Sequence, residues 1–553
     1  MKPKRSDELT EREKEILRPY VTDVEAKVFS LRELNPEIVG AALARYSRAP
    51  TGIKETIVRE FLNSDGSPND VKGTELIDRV VNKFGDESVA ELAVAPLCIE
   101  DVSNLMTKIV EDCRIGGSPI EESTRYVLYD ARKDGEWRYV RPANVMESGL
   151  GQKYVQTMDF LFETYSAMVE PMQDLFRKRL PQDEFKIEVE RRGTVVKAGL
   201  DELSGDDERK AHRLAYNFTV RSAACDVLRC ILPASTKANM GLVGNGRFFS
   251  GLISKLLSQD LKEANALGEA IRETLGRQIP TFIKRAARDP YLCENNRNMA
   301  RLSSDLLKGV KVEKAAEVVL LENREEDYET NLLAGMLFPY AQHSTQQIRG
   351  IARALPKEKR DEIFRTYVGD RKSKRDRPGR AFECGYPINF DIVAGFAEYR
   401  DLQRHRMLTQ QRQDLATLLG HSIPEEVEEI GRGRVVQECF GRAEDLHDDL
   451  KRNGLEREAQ YATLFNHFIR WNFGMNLREL GHLTELRSQK AGHPKYRRIA
   501  QTMARLYLKR YPGMKAVLRF VDENDYDQGI ARAEQEARTA RKSLATGVFD
   551  DLD

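Results

Sequence analysis

Gln403-Arg404-His405-Arg406-Met407-Leu408-Thr409 sets three consecutive cationic or titratable groups at the end of an apolar segment. Ahead of it, Ile392, Val393, Phe396, Tyr399 and Leu402 recur at helical spacing, which predicts a buried helix ending at the triplet. Two readings follow. Cations near a helix C-terminus complement its dipole, a purely structural role. The same cluster is also a positive pocket suited to a phosphate or an electron-rich ring.

The totals bound the second reading. At 553 residues the chain is too long for one core, and two or more domains are expected. Lys+Arg equals Asp+Glu at 88 each, so no global field favours nucleic acid or an anionic membrane. An anion must therefore be held by local arrangement. No apolar run reaches the roughly 20 residues of a membrane span, and the charged start Met1-Lys2-Pro3-Lys4-Arg5 leads into no apolar signal core. The seven cysteines are scattered without a Cys-x-x-Cys pair, which suits free thiols and a reducing, cytoplasmic setting. The eight histidines show no His-Glu-x-x-His spacing, and no metal is expected.

Along the chain, a charged arm (1–25) precedes an apolar helix from Pro36 to Tyr46. Residues 63–74, opening on Asn63-Ser64-Asp65-Gly66-Ser67-Pro68, read as a turn-rich loop, and a strand-like run follows from Leu92 to Ile99. Asp101 reads as the N-cap of a helix carrying Val102, Leu105, Met106, Ile109 and Val110. Residues 150–200 and 207–230 read as long amphipathic helices. Gly244-Asn245-Gly246-Arg247 is weak as a dinucleotide loop, because no strand–turn–helix unit with a later acid is legible around it. From about residue 310 the plan repeats. Asp327 to Tyr340 matches the first apolar helix, Arg371 to Arg380 the loop, and Ala381 to Phe390 alternates like a strand. Helices near 435–470 precede Asn476-Leu477-Arg478 and a helix through Arg487, and the tail after Asp522 reads as charged and frayed. The order of elements implies an internal duplication.

This order, with Arg-His-Arg, a serine loop and Asn-x-Arg, resembles the flavin-dependent thymidylate synthase family. The resemblance covers nearly the whole chain as two tandem copies, each incomplete. It implies an α+β fold of two thymidylate-synthase-complementing-type domains, each a small mixed or antiparallel sheet with long helices. The expected domains are 26–305 and 306–525, flanked by the arm 1–25 and a charged tail 526–553. The front copy has Cys113-Arg114-Ile115 where Arg-His-Arg belongs, yet keeps Glu121-Glu122-Ser123-Thr124-Arg125-Tyr126, Arg229 ahead of Leu232-Pro233, and Asn245-Gly246-Arg247. Leu256 stands at its late arginine position. The rear copy keeps Arg404-His405-Arg406, Asn476-Leu477-Arg478 and Arg487, but carries Asp414-Leu415-Ala416-Thr417 for the serine loop and Gln460 for the arginine before Leu-Pro. The family's upstream His is Asp86 in one copy and Pro378 in the other.

The losses are complementary, so the resemblance implies one complete nucleotide site per chain and one dead one, with two chains forming a homodimeric pseudo-tetramer. Glu121, Ser123, Arg125, Tyr126, Arg229, Arg404 and Arg487 would then hold dUMP, with Arg404 and Arg487 as the catalytic pair. Ser47, Ser88, Glu91, Asn245, Arg247, His405, Arg406, Met407, Asn476, Arg478, His482 and His493 would serve FAD. NADPH and methylenetetrahydrofolate are the implied co-substrates, folate and dUMP the partners. A carboxylate at Asp414 would repel phosphate, which fits a dead copy. Other readings stand beside these. Ser123 also reads as a helix cap, Glu91 as a surface acid, Asn476 and Arg478 as a polar helix face, and His482 and His493 as structural or exposed groups. A flavin- or nucleotide-binding descendant without turnover is the alternative function.

Overall fold

The computed structural model describes residues 9–47, 50–78, 87–314, 316–322, 327–370, 379–383, 388–512, 515, 518–526, 528–547 and 549. The chain folds as two compact units, one from residues 1–100, 106–121 and 239–293, the other from 101–105, 122–238 and 294–553. Segment 122–238 of the front copy thus belongs to the same unit as the rear copy.

The architecture is α+β, with long helices around small sheets. Nine strands are present among the described residues: β1 (Val94–Ser103), β2 (Gly117–Glu121), β3 (Ile187–Arg191), β4 (Thr194–Ala198), β5 (Lys237–Asn245), β6 (Val318–Leu320), β7 (Ile388–Gly395), β8 (Thr409–Arg412) and β9 (Phe468–Met475). The sheets have the orders β1-β5-β2, β3-β4 and β6-β7-β9-β8. The first belongs mainly to the first unit. Ala95, Leu97 and Ile99 of β1 point into its core while Val94, Pro96 and Cys98 are exposed, the period of a half-covered strand. Helix Pro36–Tyr46 starts where expected, with Pro at its first turn and the Asn35 side chain accepting the Glu37 N–H at 2.8 Å.

In the second unit β9 is buried on both faces from Ile469 to Met475. It pairs antiparallel with β7 and β8, and Asp391 lies opposite Asn472, which lies opposite Gln411. An apolar cluster including Leu333, Leu337, Phe338 and Ile348 forms part of the core beside them.

Several sequence readings shift. Ile392 and Val393 belong to β7, and the helix before Arg404 is only Phe396–Leu402. Their helical spacing overlies a period-two set, Ile388, Phe390 and Ile392, which the sheet buries. Asp101 is no helix cap: it sits in β1 at φ 58°, and the helix begins at Asn104. The region after Arg179 turns into the β3-β4 hairpin, whose two-residue turn Arg192-Gly193 takes φ 52° and 77°. β5 runs directly into helix Gly246–Leu257, so the glycine-rich piece does follow a strand, though an antiparallel one. The region near 435–470 ends in β9, not in helix. The tail forms helix Gln528–Thr546, packed on helix Asp206–Leu228 and β3 through a narrow stripe that buries Ala537 and Ala540. Residues 371–378 and 384–387 of the expected loop and strand lie outside the described residues.

Candidate functional site

The second unit gathers arginines from both copies. After β2 the chain makes a turn in which Tyr126 and Val127 N–H groups donate to Ser123 O at 3.1 Å, and Arg125 N–H donates to Ser123 Oγ at 3.3 Å. Ser123 therefore stabilises its own turn, and no helix follows for it to cap. The turn aims Arg125 at Asp226, near the end of helix Asp206–Leu228, through two parallel bonds of 2.6 and 2.7 Å. Its third nitrogen donates to the Tyr496 hydroxyl at 3.2 Å. Next along, Arg229 is almost wholly buried and donates from both Nη atoms to Asp401 Oδ2 at 3.3 Å. Arg400 donates to Thr124 Oγ1 at 2.9 Å. Front-copy Thr124, Arg125 and Arg229 are thus tied to rear-copy Arg400, Tyr496 and Asp401.

The rear copy adds a relay. The Arg487 Nε–H donates to His405 Nε2 at 2.9 Å, so the Nδ1 of a neutral His405 carries the proton and donates to Glu479 Oε1 at 2.9 Å. Arg487 also lies 5.9 Å from the Tyr496 ring centroid, and Arg125 lies 5.7 Å from it. Tyr496 is the residue at which the two copies' arginines meet. Arg404, Arg406 and Met407 are exposed on the turn before β8, as are Asn476, the N-cap of helix Leu477–Arg487, and Arg478 and His482 on that helix; the His482 ring is 5.4 Å from that of His405. His493 is buried and caps helix Pro494–Arg510 by accepting the Lys495 N–H at 3.3 Å.

Burial disfavours the charged forms here, but pairing overrides it for the acids. Asp226 loses solvation, yet Arg125 and then Arg532 and His493 hold its carboxyl below the usual carboxylate range. Asp401 is held down against burial by Arg229, Arg125, Arg404 and Arg400, which puts all four cations around one acid. The histidines go the other way. Burial pushes His405 down against the pull of Glu479, and burial beside Arg229 pushes His493 well down.

The remaining expected residues lie in the first unit. Glu121 is buried and accepts from the buried Lys108 at 3.0 Å, and Lys108 also binds Glu111 at 2.6 Å. Arg247 pairs with Glu91. Ser47 is exposed and donates to Ala44 O at 2.9 Å. Asn245 caps its helix by accepting the Phe248 N–H at 2.8 Å. Ser88 falls in the turn Glu87–Glu91. Asp86 and Pro378 lie outside the described residues.

Sequence reasoning missed Asp226, Asp401, Arg400, Glu479 and Tyr496. One signal was available: each of the two motif arginines carries an acid three residues ahead of it, in Asp226-Val-Leu-Arg229 and Asp401-Leu-Gln-Arg404. A His-Glu-His group, His421, Glu444 and His467, also stands in the second unit with ligand atoms within 4.8 Å of one another. His467 Nδ1 accepts the Leu464 N–H at 2.8 Å, so its Nε2 bears the proton and faces Glu444 Oε1 at 3.3 Å. That nitrogen is a donor to a carboxylate, not a lone pair offered to a cation.

The family model of the thymidylate synthase complementing protein matches residues 31–281 and 340–513, and the chain belongs to this family. The two matched segments agree with the tandem arrangement. Relatives run the length of the chain. A UPF0159 protein of Chlamydia pneumoniae is 34% identical over 552 residues, covering 97% of this chain and 98% of its own. A UPF0159 protein of Thermoplasma acidophilum is 30% identical over 516 residues, covering 92% and 99%. Among solved structures, the flavin-dependent thymidylate synthase of Helicobacter pylori, complexed with FAD and dUMP, matches 46% of this chain and 96% of its own at 18% identity, with a TM-score of 0.24.

Proposed function

We propose that the chain is a flavin-dependent thymidylate synthase that methylates dUMP to dTMP at one composite site per chain. The carrying observation is the meeting of Arg125 and Arg487, one from each copy, on Tyr496. Under this reading Arg125, Arg229 and Arg404 bind the phosphate by charge-assisted bonds, with Ser123 and Tyr126 shaping the loop. Arg487 faces the pyrimidine carbonyl and stabilises negative charge on the ring as C5 becomes nucleophilic. Glu479 fixes the His405 tautomer, and His405 fixes Arg487. The guanidinium is then oriented before substrate arrives, at no reorganisation cost.

The donor set beside the relay fits FAD. The His405–Glu479 bond ties the turn that carries exposed Arg406 to helix Leu477–Arg487, whose first turn carries exposed Arg478. Met407, His482, Asn476 and His493 are the further residues of the second unit assigned to the flavin. FAD, reduced by NADPH, would supply the redox chemistry, and methylenetetrahydrofolate the carbon.

One observation favours the alternative of a nucleotide-binding descendant without turnover. Arg125 and Arg229 are already paired with Asp226 and Asp401, as structural ion pairs would be. Release of tritium from [5-³H]dUMP by the purified chain with FAD, NADPH and methylenetetrahydrofolate tests the two. Release at C5 is expected. Tight dUMP binding with no release would leave the descendant reading standing.

A further inference from the structure

The C-terminal helix Gln528–Thr546 lies beyond the segments matched by the family model, which end at residue 513. It is nevertheless docked within the second unit. Arg541 pairs with Glu188 of β3 at 3.1 Å, Glu534 with Lys490 at 2.9 Å, and Ala537 and Ala540 are buried. Such a helix could cover this surface with apolar residues alone. Instead it buries Arg532, which is only 6% exposed and whose Nη1 has no hydrogen-bond partner. An arginine buried for packing alone is costly, and an apolar residue of similar size would serve better.

The surroundings of Arg532 say what the charge acts on. Its guanidinium lies 4.9 Å from the ring centroid of Tyr126, which packs on its other contact against Phe218 at 5.4 Å. Its charge also acts on Asp226, the acid that clamps Arg125. Charge counting gives the consequence. Arg125 with Asp226 sums to zero, as does Arg229 with Asp401, so net attraction for a phosphate comes from the cations outside these two pairs, Arg400 and Arg404 among them. Arg532 adds a buried cation beside the loop, and its contact with Tyr126 holds the ring that ends it. Glu536, one turn further along the same helix, has its carboxyl pushed up by burial against the pull of Arg532.

We propose that Arg532 is a positioning residue for the Ser123–Tyr126 loop, delivered by a C-terminal helix beyond the segments that the family model matches, and that it tunes the loop for the 5′-phosphate of a nucleotide. The inference rests on the dUMP reading of the site.

The test titrates the full chain, and its Arg532→Gln and Arg532→Lys variants, with dUMP and with 2′-deoxyuridine, after thermal melts establish that each is folded. Arg532→Gln should bind dUMP about tenfold more weakly, bind deoxyuridine unchanged, and Arg532→Lys should recover most of the loss. A merely structural role would weaken both ligands together and would not respond to charge. Equal dUMP affinity in Arg532→Gln, equal loss of both ligands, or no recovery with lysine would each overturn the inference. If Arg532→Gln does not fold, the lysine variant must still bind dUMP near wild-type strength for the proposal to stand. A wild-type chain that does not bind dUMP removes the underlying reading as well; one that binds it while Arg532→Gln is unaffected removes this inference alone.

Discussion

Asn245 and Asn476 open helices at matching places in the two copies and do the same backbone work. Each has φ −87° and extended ψ, and each side chain accepts the N–H three residues on, at 2.8 Å from Phe248 and 3.0 Å from Glu479. The side chains that follow have parted company. In the first unit Phe248 packs so closely on the sheet that a Cβ at Gly117 would come within 2.4 Å of its ring, and Leu256 is fully buried. In the second unit the matching residues are Glu479 and Arg487, two ends of the chain of bonds through His405. One scaffold has been spent on packing and the other on polar contacts. The cap, a local backbone device, survives either use.

The largest effect that should break this symmetry is at the late position. Arg487→Ala should lower C5 proton release from dUMP by about 10²- to 10³-fold, the range for a lost donor at a developing charge. Leu256→Ala should leave the release per folded molecule unchanged and cost about 3 kcal/mol in urea unfolding, as a buried leucine truncation does. A stability loss alone from Arg487→Ala, with kcat intact, would put the rear helix in the same class as the front one.

A smaller, directional effect comes from the relay. His405 accepts the Arg487 N–H only when neutral, and burial holds its pKa below the ordinary imidazole value of 6.5. Protonation would set a second N–H against Arg487, so activity should fall as pH drops below that value. The stability contribution has the same sign: it is complete above the unfolded pKa and is lost as pH falls through the folded one. Glu479 favours the imidazolium, so Glu479→Gln should move the acid limb of kcat/KM to lower pH while slowing turnover about threefold to tenfold. An acid limb that stays put would assign it to another group, such as the buried His493.

The fold was legible where the signal was local and strong. Pro36 to Tyr46 carries its own proline and asparagine start, and the repeated order of elements survives low identity between the copies. The β3-β4 hairpin was hidden because its turn is Arg192-Gly193, not an asparagine-glycine pair. The last helix was hidden because its buried stripe is alanine between charges. At the site, the motif arginines were readable one by one. Their partners Asp226 and Asp401 were not, because pairing is a property of long-range packing. Arg125 and Tyr496 meet across most of the chain, and no window of sequence contains both.

The smallest effect returns to the two asparagines, and it separates capping from ligand contact. Replacing either by alanine should cost about 1 kcal/mol of stability, since each leaves a helix N–H unsatisfied. Serine caps a helix about as well as asparagine does, so Asn245→Ser and Asn476→Ser should both stay within about 0.5 kcal/mol of the parent in urea unfolding. What serine lacks is the amide nitrogen as a donor. Asn476 is exposed, and under the flavin reading its amide nitrogen is a cofactor contact, so Asn476→Ser should retain less FAD per chain, read from its visible absorbance. Asn245 sits where its copy has turned to packing, against Phe248 and the glycines of β2 and β5. If Asn245→Ser loses as much flavin as Asn476→Ser, the front helix has kept a ligand role that its apolar neighbours conceal, and the division between the copies is less complete than their side chains suggest.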